Sequence, residues 1–121
     1  MPITSWQRPL YEVKANLFKG LAHPSRIRIL EMLSNASEMS VADLQDDLGL
    51  EASNLSQHLA VLRRHRLVVS ERRGSHVFYA LTDPAVADLL TAARTLLLGV
   101  LQNDQALLAN VDDLPALPEV P

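Results

Sequence analysis

A chain of 121 residues, 48% of them hydrophobic and 21% charged, has the size and composition of one ordinary globular domain, which argues against wholesale disorder. It contains no cysteine, so a disulfide scaffold, a thiolate zinc site, an iron–sulfur cluster and a thiol switch are excluded. The formal charge is −3, yet five of the eleven Lys and Arg residues (Arg63, Arg64, Arg66, Arg72 and Arg73) crowd between positions 63 and 76, with Glu71 the only acid among them.

Residues 1–9 read as an N-terminal arm without an apolar core of signal-peptide length, so a cytoplasmic protein is expected. The longest apolar stretch, around Leu96 to Leu101, is too short to span a bilayer, and no membrane role is indicated. Leu10, Val13, Leu17, Phe18 and Leu21 fall at helical spacing and predict a first helix that stops near Gly20 to His23. Pro24 suits the first turn of a second helix, where its missing amide costs no intrahelical bond, and Ile27, Leu30 and Leu33 supply an inward face. Ser40, with Asp43 three residues on, marks the start of a short third helix over 41–48 that ends at Gly49.

A fourth helix is predicted from Ser53 to His65, with Leu55, Leu59 and Leu62 inward and Asn54, Ser56, Gln57, His58, Val61 and Arg64 on the other face. The period then changes from 3.6 to 2. Residues 67–72 and 76–81 read as two strands of a hairpin around Arg73-Gly74-Ser75. Thr82-Asp83-Pro84 caps a long helix reaching Gln102, and a short final helix carries Leu107 and Leu108. Residues 10–110 form the domain, and 111–121 an acidic, proline-rich tail with a proline at every third position from Pro115. The class is mainly α with a small β-hairpin (α+β). Gly49-Leu50-Glu51-Ala52 has the length of a helix-turn-helix corner, and a hairpin directly after the second helix of that pair makes a winged helix.

In this setting the basic stripe occupies the end of the recognition helix and both arms of the wing, where a duplex backbone would lie. Asn54 and Gln57 can bond an adenine edge bidentately, Ser56 and His58 can hold phosphate, and Ser53 can cap the helix or face DNA. A histidine at His58 can equally pack on the helix turn. Arg63, Arg64 and Arg66 read as phosphate contacts, with at least one of them expected to pair with an acid instead. Arg72 and Arg73 bracket a backbone or reach a minor groove beside the wing, joined there by His76. His65 and His76 lie near the two ends of the wing, where they could share a partner or stand as surface imidazoles.

The last predicted helix carries a long apolar stripe, including Leu89, Leu90, Ala93, Leu96, Leu97 and Val100, wider than one small domain needs to cover. With Leu10, Val13 and Leu17 beside it, the stripe suggests a homodimer whose two recognition helices lie about one DNA turn, roughly 34 Å, apart on an imperfect palindrome. An enzyme is disfavoured, since no glycine-rich phosphate loop and no acid–histidine constellation is legible. The alternative class is a winged-helix interaction module, or a co-regulator whose sensing is supplied by a partner protein.

The runs Leu21-Ala22-His23-Pro24-Ser25-Arg26-Ile27-Arg28-Ile29-Leu30 and Ser53-Asn54-Leu55-Ser56-Gln57-His58-Leu59-Ala60-Val61-Leu62-Arg63 resemble the second and recognition helices of the ArsR/SmtB family of bacterial regulators. Arg73-Gly74 followed by Tyr79-Ala80-Leu81 is similar to that family's wing, and the resemblance covers about residues 10–102. It implies a homodimeric transcription regulator, usually a repressor of its own operon, that releases DNA when an effector binds. It also implies where metal ligands would stand. The third-helix cysteine pair of the family is replaced by Ser40 and Ala42 in Glu38-Met39-Ser40-Val41-Ala42-Asp43-Leu44, and of the last-helix ligand set Asp83 remains beside Ala85, Leu96 and Gly99. No cofactor is therefore expected. An unconventional nitrogen and oxygen site for Ni²⁺ or Zn²⁺ is the remaining metal alternative, beside an apolar ligand, a protein co-regulator or no effector.

Overall fold

Hydrogen bonds at the helix ends set the chain path in the computed structural model, which describes residues 9–103. The order is α1 (Leu10–Leu21), α2 (Pro24–Ser34), β1 (Met39–Ser40), α3 (Val41–Leu48), α4 (Ala52–Arg64), β2 (Val68–Arg73), β3 (His76–Leu81) and α5 (Ala85–Asn103). Arg26 closes the first corner: its Nε donates to the Gly20 carbonyl at 2.8 Å and an Nη to that of Lys19 at 3.2 Å. The Lys19 carbonyl also accepts the Ala22 amide at 3.3 Å, while that of Gly20 is one of the last carbonyls of α1, which have no intrahelical partner. His23 begins α2 by accepting the Ser25 amide on Nδ1 at 3.0 Å, with Pro24 in the first turn. The Ser40 hydroxyl accepts the Asp43 amide at 3.1 Å, Gly49 ends α3 with φ +66°, and Asp83 accepts the Ala85 amide at 2.8 Å to begin α5.

The junction between α4 and β2 follows a different rule. The Leu67 amide bonds the Leu62 carbonyl at 2.9 Å and the Arg66 amide bonds that of Arg63 at 3.0 Å, the paired bonds of a Schellman ending. Arg66 occupies the left-handed position with φ +61°, where glycine is usual.

Two features depart from the sequence reading. A two-residue strand, β1, joins the hairpin, giving an antiparallel sheet of order β1-β3-β2 with Met39 opposite Tyr79 and Ser40 opposite Phe78. Two residues are too few to show any period. Arg73 also belongs to β2, opposite His76, so the turn shortens to Gly74-Ser75. Gly74 has φ +63°, the sign that a type II′ turn needs at its first central residue.

The core joins Leu21, Ile29, Leu30, Leu33, Leu44, Leu55, Leu59, Leu62, Leu67, Val68, Tyr79 and Val86. It includes the predicted inward leucines of α2 and α4, with Ile27 only partly buried. By contrast α5 buries Val86 alone, while Leu89 and Leu90 rest partly on the core and Leu96 stays 68% exposed. As a continuous helix of 19 residues, α5 is long and apolar enough by length and composition to cross a membrane. The sequence reading measured only the uninterrupted apolar run and so missed this. Leu107, Leu108, the tail and all of the N-terminal arm except Pro9 lie outside the described residues.

Two substitutions test these junctions in urea unfolding. A Cβ on Gly20 would stand 2.8 Å from the Cβ and Cγ of His65, both near the branch point of that side chain and unable to swing away. Gly20→Ala is expected to destabilise by about 1–3 kcal/mol. Arg66→Gly relieves a left-handed arginine and is expected to stabilise by about 1 kcal/mol; a loss of stability would show that the Arg66 side chain holds the junction.

Candidate nucleic-acid interface

Burial of Leu55, Leu59 and Leu62 fixes the rotation of α4 about its axis. Successive residues turn by about 100°, so the row diametrically opposite these leucines is Ser53, Gln57, Ala60 and Arg64, all exposed. Asn54 flanks this row on one side, and Ser56 and Arg63 on the other, also exposed. Ala60 was missed by the sequence reading although its spacing from Ser53 and Gln57 was legible. Its methyl group leaves the middle of the row low enough for a partner to approach closely.

Ser53 is not the helix cap. Glu51 occupies that position in extended backbone with no side-chain cap bond, which places Ser53 within the first turn. The Glu51 side chain thus leaves the leading amides of α4 without a side-chain cap.

His58 stands apart from the polar row. It is half-buried, and its ring centroid lies 4.3 Å from that of His23 at an interplanar angle of 47°. Burial, followed by the proximity of His23 and Arg26, holds its pKa below the ordinary imidazole value. His65 is half-buried against Gly20, while His76 is exposed at the wing tip, 6.4 Å from the Phe78 ring centroid. The two are thus held by different neighbours.

The arginines divide unexpectedly. Arg63, Arg64, Arg66 and Arg72 are exposed and form no ion pair among the described residues, so the expectation that one of the first three is paired is not met. The paired arginine is Arg73, which bonds Glu38, lies 3.9 Å from Glu71 and stacks 3.9 Å above the Phe78 ring. Its guanidinium in turn holds the Glu38 carboxyl below the usual carboxylate range.

A second surface is apolar. Leu10, Tyr11, Val13 and Phe18 on α1, and Leu96, Leu97, Leu98 and Val100 on α5, are exposed large hydrophobic residues. Ala93 is exposed beside them, Leu17 is half-buried, and Leu89 and Leu90 belong partly to the subunit core. Among the described residues no group of three or more His, Asp or Glu side chains is placed to hold a metal ion.

Comparison with known proteins agrees with this arrangement. A family described as "Helix-turn-helix domain" matches residues 21–71, from the end of α1 to the middle of β2. The uncharacterized HTH-type transcriptional regulator Rv0081 of Mycobacterium tuberculosis is 47% identical over 103 residues, 85% of this chain and 90% of that protein. Its crystal structure superposes with a TM-score of 0.73 at 49% identity, covering 79% of this chain and 96% of the other. The biofilm growth-associated repressor of Xylella fastidiosa is 38% identical over 82 residues, 68% of this chain and 71% of that protein.

The His58 environment predicts a pH dependence of stability. Its pKa is lower in the folded than in the unfolded chain, so below about pH 6.5, the ordinary imidazole value, the unfolded chain binds more protons and stability falls as pH falls. Urea midpoints measured between about pH 7.5 and 5.5 should decline in the wild type and decline less in His58→Gln. Equal slopes in the two proteins would show that the burial of His58 does not set its titration.

Proposed function

Because the chain belongs to the ArsR/SmtB family of winged helix-turn-helix transcriptional regulators, we propose that it works as a homodimeric repressor on an imperfect palindromic operator in the cytoplasm. The observation that carries this reading is the exposed row Ser53, Gln57, Ala60 and Arg64 on a helix whose opposite face is locked into the core. Gln57 and Asn54 are suited to read base edges, since an amide donates and accepts in the pattern of an adenine edge. Arg63 and Arg64 at the end of the helix, with Arg66 and Arg72, supply cations to flanking phosphates. Their charges are not neutralised by ion pairing among the described residues, which favours release of DNA counterions on binding.

A second copy is the occupant that best suits the apolar surface of α1 and α5. A two-fold arrangement would cover Leu10, Val13, Leu96, Leu97 and Val100 and give the pair of recognition helices a fixed separation. The reading includes no resident metal: the Ser40 hydroxyl caps α3 and one Asp83 oxygen caps α5, roles that account for both residues without a ligand.

Footprinting on the DNA upstream of the chain's own gene tests the proposal. Protection of a site with two-fold symmetry is expected, and with about six phosphates neutralised per dimer the slope of log K against log salt is near −5. Arg64→Ala should weaken binding to all duplexes alike, whereas Gln57→Ala should change the ranking among operator variants, by about 1–3 kcal/mol at the base it reads. Leu96→Glu with Leu97→Glu should give a monomer in sedimentation and abolish the footprint. A monomeric wild type with no footprint at low salt would refute the proposal and favour an interaction module. A micromolar response of DNA binding to Ni²⁺ or Zn²⁺ would refute its metal-free part.

A further inference from the structure

The wing carries two adjacent arginines, and the structure treats them oppositely. Along β2, alternate residues face opposite sides of the sheet. Glu71 and Arg73 share the outer side with their neighbour Phe78, whereas Arg72 shares the inner side with Val77, Ser70 and the buried Tyr79. Arg72 stands at the distal, exposed end of that inner side.

The Arg73 side chain does not project beyond the wing tip. It lies across the outer side of the sheet, over the Phe78 ring on β3, and meets Glu38 immediately before β1. With strand order β1-β3-β2, this contact bridges the full width of the sheet, two strand spacings or about 10 Å. Glu38 precedes the cap residue of α3 by only two positions, so the bridge also links the wing tip to the start of the helix-turn-helix. One cation between two carboxylates leaves this patch with a local charge of −1, which repels phosphate.

We propose that Arg73 is not the wing's phosphate contact: Glu38 straps it across the sheet and occupies the guanidinium that a phosphate would otherwise take, so that the wing meets the duplex backbone through Arg72. This rests on the DNA-binding reading above, but the strap can be examined without DNA. Three variants carry the test: Arg72→Ala, Arg73→Ala and Glu38→Gln, all at exposed positions.

Carboxyl NMR titration of the free protein is the first measurement. Glu38 should titrate below the ordinary carboxylate value in the wild type and return towards it in Arg73→Ala. No change between the two would overturn the strap whatever the protein does with DNA. Salt-dependent binding to an operator duplex and to a random duplex is the second. Arg72→Ala should make the slope shallower by about 0.9 per subunit, one phosphate contact each, and Arg73→Ala should leave it unaltered. Glu38→Gln should free the guanidinium, steepen the slope by about the same amount and tighten binding to both duplexes severalfold at low salt. Adding Arg73→Ala to Glu38→Gln should cancel that gain. A slope lost equally in Arg72→Ala and Arg73→Ala, or a Glu38→Gln protein that binds as the wild type does, would overturn the assignment. A wild type that binds neither duplex would instead refute the DNA-binding reading, while the titration would still decide the strap.

Discussion

The packing of Leu55, Leu59 and Leu62 against the leucines of α2 and α3 is the constraint on which the remainder depends. All three are essentially removed from solvent, as are Leu30, Leu33 and Leu44. Rotating α4 by one residue would bring Ser56 and Arg63, or Asn54 and His58, into this apolar cluster, where an unpaired polar group costs several kcal/mol. The composition of the outward row is thus protected by what lies behind it. The same leucines hold the last turn of α4 in place, and through the Leu62–Leu67 bond they orient the start of the hairpin. One apolar cluster anchors both helix and wing: Leu67 and Val68 are buried in it with the α4 leucines.

Most of the fold was legible because it is written locally. The inward faces of α2 and α4, the Ser40 cap, the left-handed Gly49 and the opening of α5 at Asp83 each depend on residues within a few positions of one another. What escaped the sequence depends on distant partners. β1 exists because Met39 and Ser40 meet Tyr79 and Phe78, about forty residues later. His58 leans inward because His23 waits at the start of α2, and Arg73 is claimed by Glu38 from the far side of the sheet. In the candidate interface the local residues, Asn54, Ser56, Gln57 and Arg64, were correctly placed on the exposed face. Those with a distant neighbour, His58 and Arg73, were read as DNA contacts because nothing close to them in sequence reveals His23 or Glu38. Ala60 is the exception, overlooked because a methyl group suggests no chemistry although its position in the row was calculable.

The two outward surfaces answer to different physics. On α4 and the wing, charge and hydrogen-bonding capacity are presented to solvent, and any partner must replace water one polar contact at a time. On α1 and α5 the exposed leucines gain mainly by leaving water, at about 25 cal/mol for each Å² covered. Such a surface is hard to leave bare in a water-soluble protein, since contiguous apolar patches beyond a few hundred Å² are uncommon on monomers. To the core α5 contributes only Val86 as a fully buried residue, so most of its apolar length belongs to this surface.

The hairpin ladder has one more consequence. Its six rungs, from Val68 opposite Leu81 to Arg73 opposite His76, fix which neighbour falls on which side of the sheet. Because side chains alternate strictly, a slip of one rung would swap the two arginines, turning the tethered one towards the inner side and the untethered one towards Phe78. The same slip would expel Val68 from the core. The parity of the strand therefore makes an error in charge placement inseparable from an error in packing, and a misregistered wing would be eliminated by its own instability.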